Sequence, residues 1–121
     1  MSLIEVIVAL GLLGGVLFGM SAFSMKLAQA STVARIRATA GQLISDRIEQ
    51  VKGAPRYSVI DTIYVATETD ASGFKGYTRQ TWVSRVGGQP TDTIDYKLVT
   101  VEIRHAKLAK PMRKTTAIPP F

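Results

Sequence analysis

Twenty consecutive uncharged residues, Val6 to Met25, follow a single acid, Glu5, at the head of this chain. At about 1.5 Å of rise per residue such a run makes a helix of roughly 30 Å, the thickness of a bilayer's hydrocarbon core. A buried helix in a chain of 121 residues has little use for so much unbroken apolar length. The first stretch, residues 1–25, is therefore expected to form a lipid-compatible helix.

Three features set this helix apart from a plain anchor. Glu5 lies in its first turns, where the positive end of the helix dipole favours an anion, but in lipid a carboxylate must reach the headgroups or meet a cation. The nearest candidate cation is an α-amino group, ordinarily titrating at about 7.7–8.0. Side chains lean toward the helix N-terminus, so Glu5 can reach the Met1 amine of its own chain or that of a neighbouring copy, and geometry alone leaves both open. Next, Gly11, Gly15 and Gly19 recur every fourth residue with Gly14 beside them. That face offers two overlapping small-x-x-x-small contacts for close helix packing. The same glycines each cost a helix about 0.8–1 kcal/mol relative to alanine, so this is also where the helix would melt first. Last, no Lys or Arg precedes the apolar run. Ala28-Gln29-Ala30 looks like a signal-peptidase site, yet the run exceeds the usual 7–15 residues or so of a signal peptide.

The opening Met1-Ser2-Leu3-Ile4-Glu5-Val6-Ile7-Val8-Ala9-Leu10 resembles the start of mature type IV pilins and type II secretion pseudopilins. The resemblance covers about ten residues and rests on the glutamate at that register inside an apolar run. Most members begin with Phe, and Met1 is a permitted variant. It implies that a prepilin peptidase has removed a short basic leader, that the sequence is the mature form and that the Met1 amine is methylated. It further implies that Glu5 pairs with the methylated amine of an adjacent subunit while the helices bundle into a filament core. Many pilins carry a proline near position 22 beside a segment that melts on assembly. This chain has Ala22 there, which leaves any melting to the glycines.

Beyond the apolar segment fewer than a hundred residues remain, enough for one small domain. Fifteen basic against nine acidic residues give a formal charge of +6, a balance that attracts nucleic acid, anionic lipid or acidic polysaccharide without choosing among them. Cysteine is absent, which excludes disulfides and thiol chemistry, and without asparagine there is no N-glycosylation sequon.

From Lys26 the character changes. Val33, Ile36, Ala40, Leu43, Ile44, Ile48 and Val51 recur at threes and fours, an apolar stripe on a polar helix over residues 26–53 that stops at Gly53 before Ala54-Pro55. The expectation is one helix from Ser2 to Lys52, about 75 Å long; two helices joined near Gly14 to Gly19 are the alternative. A sheet then spans residues 57–118. Strands are expected at Tyr57 to Ala66, Gly76 to Val86, Tyr96 to His105 and, short, around Arg113 to Ile118. Asp70-Ala71-Ser72-Gly73 is a turn, Gly87 to Asp92 a hairpin loop and Ala106 to Pro111 a basic link. In the third strand Val99, Val101 and Ile103 should face the helix stripe, with Thr100, Glu102 and Arg104 on the other side. The fold class is α+β: a long N-terminal helix, apolar then amphipathic, packed on an antiparallel sheet of three or four strands, as the pilin resemblance also implies. The domains are 1–25, the filament-core or transmembrane helix, and 26–121, the globular head.

Little in the sequence speaks for catalysis. His105 is the only histidine and reads as a strand-end residue rather than a zinc ligand, and no nucleophile elbow occurs. Asp92 and Asp95, with Asp70 elsewhere, are a thin basis for a calcium loop. No cofactor, metal or enzymatic activity is expected. One basic set, Arg104, Lys107, Lys110, Arg113 and Lys114, offers a surface patch for nucleic acid, with Phe121 the one aromatic nearby. The expected function is a structural subunit of a type IV pilus-like filament. The alternative is a minor pilin or pseudopilin at a filament tip, acting in secretion, adhesion or DNA uptake. Expected partners are identical or homologous pilin subunits, the inner membrane before assembly, the prepilin peptidase and the assembly machinery. The expected location is the inner membrane, then an extracellular filament or a periplasmic pseudopilus.

Overall fold

A computed structural model describes residues 2–121; Met1, with the amine and methylation expected there, lies outside the described residues. Helix α1 runs unbroken from Leu3 to Lys52, 50 residues, so the alternative of two helices joined near Gly14 to Gly19 does not hold. Two compact units share it, one reaching Ala34 and the other comprising Arg35–Phe121.

In the second unit α1 buries Ile36, Ala40, Leu43, Ile44, Ile48 and Val51, the stripe that its periodicity marks. Val33, at the head of that stripe, stays partly exposed. The stripe also takes in Arg47, which no apolar pattern would suggest. The helix ends just before Ala54-Pro55, where the proline disfavours helical backbone in the residue ahead of it. Opposite the stripe lies a four-stranded antiparallel sheet in the order β1 (Ala66–Glu68), β2 (Thr78–Gly87), β3 (Asp95–Arg104), β4 (Met112–Ile118). This is the expected α+β architecture. The register sets Thr81 opposite Val101 and Val83 opposite Val99, so the inward side chains of β2 and β3 share the helix-facing side. Val99, Val101 and Ile103 are fully buried in one core with Leu43, Val51 and Ile60. Each such side chain contributes about 1.5–3 kcal/mol relative to leaving it in water. At the β2–β3 turn Gly87 and Gly88 have φ of 77° and 83°, and a Cβ at Gly87 would overlap the Ile94 carbonyl, so that turn requires glycine.

The expected strand from Tyr57 to Ala66 does not form. Tyr57–Val59 is a 3-10 turn, Ile60–Ile63 is a short helix, α2, and only Ala66 of that stretch enters β1. Two interactions override its β-branched composition. Ile60 is fully buried in the core, and the buried Lys97 ammonium donates to the Tyr57 carbonyl at 2.8 Å and to the Asp61 carboxylate at 3.0 Å. Lys97 also lies 4.5 Å from the centre of the Tyr57 ring, so one cation fastens both ends of the turn. The outward row of β3 lies on the expected side, and Thr100 and Glu102 are buried there although they face away from α1.

Candidate assembly interface

The N-terminal unit begins with a hydrogen-bonded cap. The Ser2 N–H donates to the Glu5 carboxylate at 3.2 Å, and the Glu5 N–H donates to the Ser2 hydroxyl at 3.4 Å. This reciprocal arrangement is a capping box, and it satisfies two N–H groups that a helix start leaves without partners. Its signal, Ser-x-x-Glu before an apolar run, stands in the sequence at residues 2–5, a partner for Glu5 besides the helix dipole, the headgroups and an amine. In the single chain Glu5 therefore has a structural role.

Past the cap, apolar side chains point outward on every side. Leu3, Ile7, Leu10, Leu13, Val16, Leu17, Phe18, Met20, Phe23 and Leu27 are all more than half exposed. The helix is long and apolar enough to cross a membrane, and none of its apolar span is buried within the protein. Gly11, Gly14, Gly15 and Gly19 all sit in helical backbone here, and a Cβ built at any of them meets nothing within 4 Å. Among the described residues nothing therefore requires glycine at these four positions.

Several of the head's ionisable side chains pair with one another. Arg104 and Arg113 both converge on Glu102, which is 1% exposed; Arg104 Nε donates at 2.6 Å and Arg113 Nε at 3.0 Å. Arg113 holds the Glu102 carboxyl below its ordinary range, with Arg104 adding to the effect and burial opposing it. The Arg113 guanidinium also lies 5.1 Å from the centre of the Trp82 ring. At the other edge Arg47 and Arg79, both buried, share Glu68, and Arg79 also donates to the Leu43 carbonyl at 3.1 Å. Burial pushes the Glu68 carboxyl up, but the bonds from Arg79 and Arg47 together outweigh it and leave the group below its ordinary range. These clusters tie β1 to α1 and β4 to β3.

The expected basic patch does not form one surface. Arg104 and Arg113 lie on the side of the sheet away from α1, engaged by Glu102. Lys114, the next residue along β4, takes the opposite side because successive side chains alternate. Lys107 and Lys110 lie in the link between β3 and β4. The three aspartates raised as calcium ligands serve separate purposes. Asp95 accepts two bonds from Arg85, at 2.9 and 2.8 Å, and one from the Tyr57 hydroxyl at 3.2 Å. Asp92 accepts from the Gln89 N–H, and Asp70 from the Gly76 N–H. His105 follows β3, its Nδ1 accepting from the Lys107 N–H and its ring 4.5 Å from that of Tyr77.

The described residues of the first unit thus present a helix of exposed apolar side chains with one acid near its start, and those of the second a small domain with six internal ion pairs. In comparisons with family models, curated proteins and solved structures, nothing matches this chain.

Proposed function

We propose that the protein is a structural subunit of a type IV pilus-like helical filament, held in a membrane by its first helix and polymerising through it. The observation that carries this reading is the apolar surface of residues 3–27, exposed on every side of a helix that opens with Glu5. Water does not tolerate such a surface, and two environments remove it: lipid, and a bundle of like helices. Glu5 favours a course through both. In lipid a lone carboxylate is costly, whereas in a bundle of staggered copies it can accept hydrogen bonds from a neighbour's N-terminal amine. The glycine face, where an added Cβ meets nothing among the described residues, would allow neighbouring helices to approach closely. The sheet would then lie outside the bundle. A role in nucleic-acid capture has less support, because two of the five candidate cations are engaged by Glu102.

The capping box makes a sharper test than removal of Glu5. A glutamine can replace glutamate in a capping box, so Glu5→Gln keeps the bond to Ser2 and removes only the charge. The variant should still enter membranes at the normal level, while its incorporation into filaments sheared from cells falls by roughly tenfold or more, as loss of a charge-assisted bond predicts. Normal filaments from Glu5→Gln would mean that the acid serves only the cap.

A further inference from the structure

The second half of α1 carries a pattern of charges that its own fold leaves unused. Arg35, Asp46 and Glu49 are all exposed, and none takes part in an ion pair among the described residues. At about 100° per residue they fall on the helix face opposite the buried stripe. Asp46 and Glu49 stand three residues apart on that face, a like-charge spacing that weakens a helix. Lys52, three residues beyond Glu49, makes no ion pair with it. Between the arginine and the acids the face carries only the exposed, uncharged Ala38, Gln42 and Ser45. The result is a strip of small and polar side chains with a cation at one end and two anions at the other, separated by more than any intrahelical pair can bridge.

We infer that this face binds the same face of a second, parallel copy, with Arg35 of one copy seated between Asp46 and Glu49 of the other. The inference rests on the filament reading, which supplies parallel copies, and it adds their register. The residue separations of eleven and fourteen require an axial displacement of roughly 17–21 Å between the contacting copies. An antiparallel pair would satisfy the same charges twice, but it would point the two apolar segments in opposite directions, which a shared membrane or bundle does not allow. In the parallel arrangement every copy gives its arginine to one neighbour and receives another's, so the contact does not close on itself and repeats along a filament.

The chain has no cysteine, so introduced thiols report this contact without interference. The full-length double variant Arg35→Cys/Asp46→Cys, oxidised in assembled filaments, should give a ladder of covalent multimers on a denaturing gel. A product that stops at the dimer would indicate antiparallel pairing, and no cross-link would indicate no contact; either overturns the inference. Charge reversal supplies the second readout. Arg35→Glu should lower filament yield by about tenfold, since each contact recurs many times along the fibre. Adding Asp46→Arg/Glu49→Arg should restore the yield to within about threefold of the parent, given that exposed pairs are worth little individually. Full yield from Arg35→Glu alone, or no recovery in the triple variant, overturns the proposed register. If the unaltered chain forms no filaments at all, the filament reading has failed and this contact falls with it.

Discussion

The two halves of α1 share one backbone geometry and differ in what their side chains meet. From Leu3 to Leu27 apolar residues occupy every side and almost all lie open; from Ile36 to Val51 they occupy one stripe, and that stripe is buried under the sheet. Helicity alone therefore says little about how a helix is stabilised. The second half is held by its own domain. The first half depends on surroundings that the chain does not itself provide. Charge follows the same division. The head buries Glu102, Lys97, Arg47 and Arg79 and gives each a partner of opposite sign, whereas the first half has Glu5 as its one charged side chain before Lys26.

If that contrast is right, one kind of truncation should have opposite consequences in the two halves. Leu43→Ala should destabilise the head by about 2–5 kcal/mol, because Leu43 is fully buried and its loss leaves a cavity. Leu13→Ala should leave head stability within about 0.5 kcal/mol, the usual range for a surface change. Thermal unfolding of the full chain in detergent, followed through Trp82, the only tryptophan, measures both. Equal effects would erase the distinction.

The buried ion pairs sharpen it further. Glu102→Gln should cost about 1–3 kcal/mol through its weakened bonds to Arg104 and Arg113, seen as a lower midpoint in the same experiment. An unchanged midpoint would mean that the two exposed arginines are equally well served by water.

Acid should act on the head through the same groups. Hydrogen bonds from Arg113, Lys97 and Arg85 hold Glu102, Asp61 and Asp95 below their ordinary values of 4.5, 3.8 and 3.8. A depressed carboxylate stabilises the fold above its unfolded pKa, and that contribution is lost as pH falls through the folded one. The melting temperature should therefore be level near neutrality and fall between about pH 5 and pH 2. A melting temperature that is flat down to pH 2 would show that these pairs add nothing.

The smallest effect belongs to the glycine face. In the dispersed chain Gly11→Ala or Gly15→Ala should stabilise the helix by about 1 kcal/mol, since the added methyl meets nothing. In assembled copies the same methyl should hinder packing. Raised helicity by circular dichroism together with poorer polymerisation would support the packing role. Unimpaired polymerisation would assign the glycines no contact.

The sequence carried the helix plainly, because twenty uncharged residues and then a seven-residue stripe leave few other folds, and β2, β3 and β4 followed from alternation and turn residues. Tyr57 to Ala66 was misread because its composition favours a strand while Lys97, forty residues on from Tyr57, secures a helical turn there. No local pattern encodes that partner. Likewise no local pattern singles out Arg47, Arg79 or Glu68, and only the tertiary fold buries the two arginines and brings them to one carboxylate. The basic set failed for a related reason: neighbours in sequence along β4 lie on opposite sides of a sheet, and the acid that engages two of them is on the adjacent strand. The capping box, by contrast, was legible from Ser2 and Glu5 alone.

The central claim is that residues 3–25, once outside lipid, are covered by other copies of the same helix. Cryo-electron microscopy of filaments sheared from cells expressing the unaltered chain tests this most directly. The account predicts a fibre with these helices bundled at its centre and each Glu5 beside a neighbour's N-terminus. A detergent-free, monodisperse monomer of 13.1 kDa, with no fibres in the sheared fraction, would contradict it.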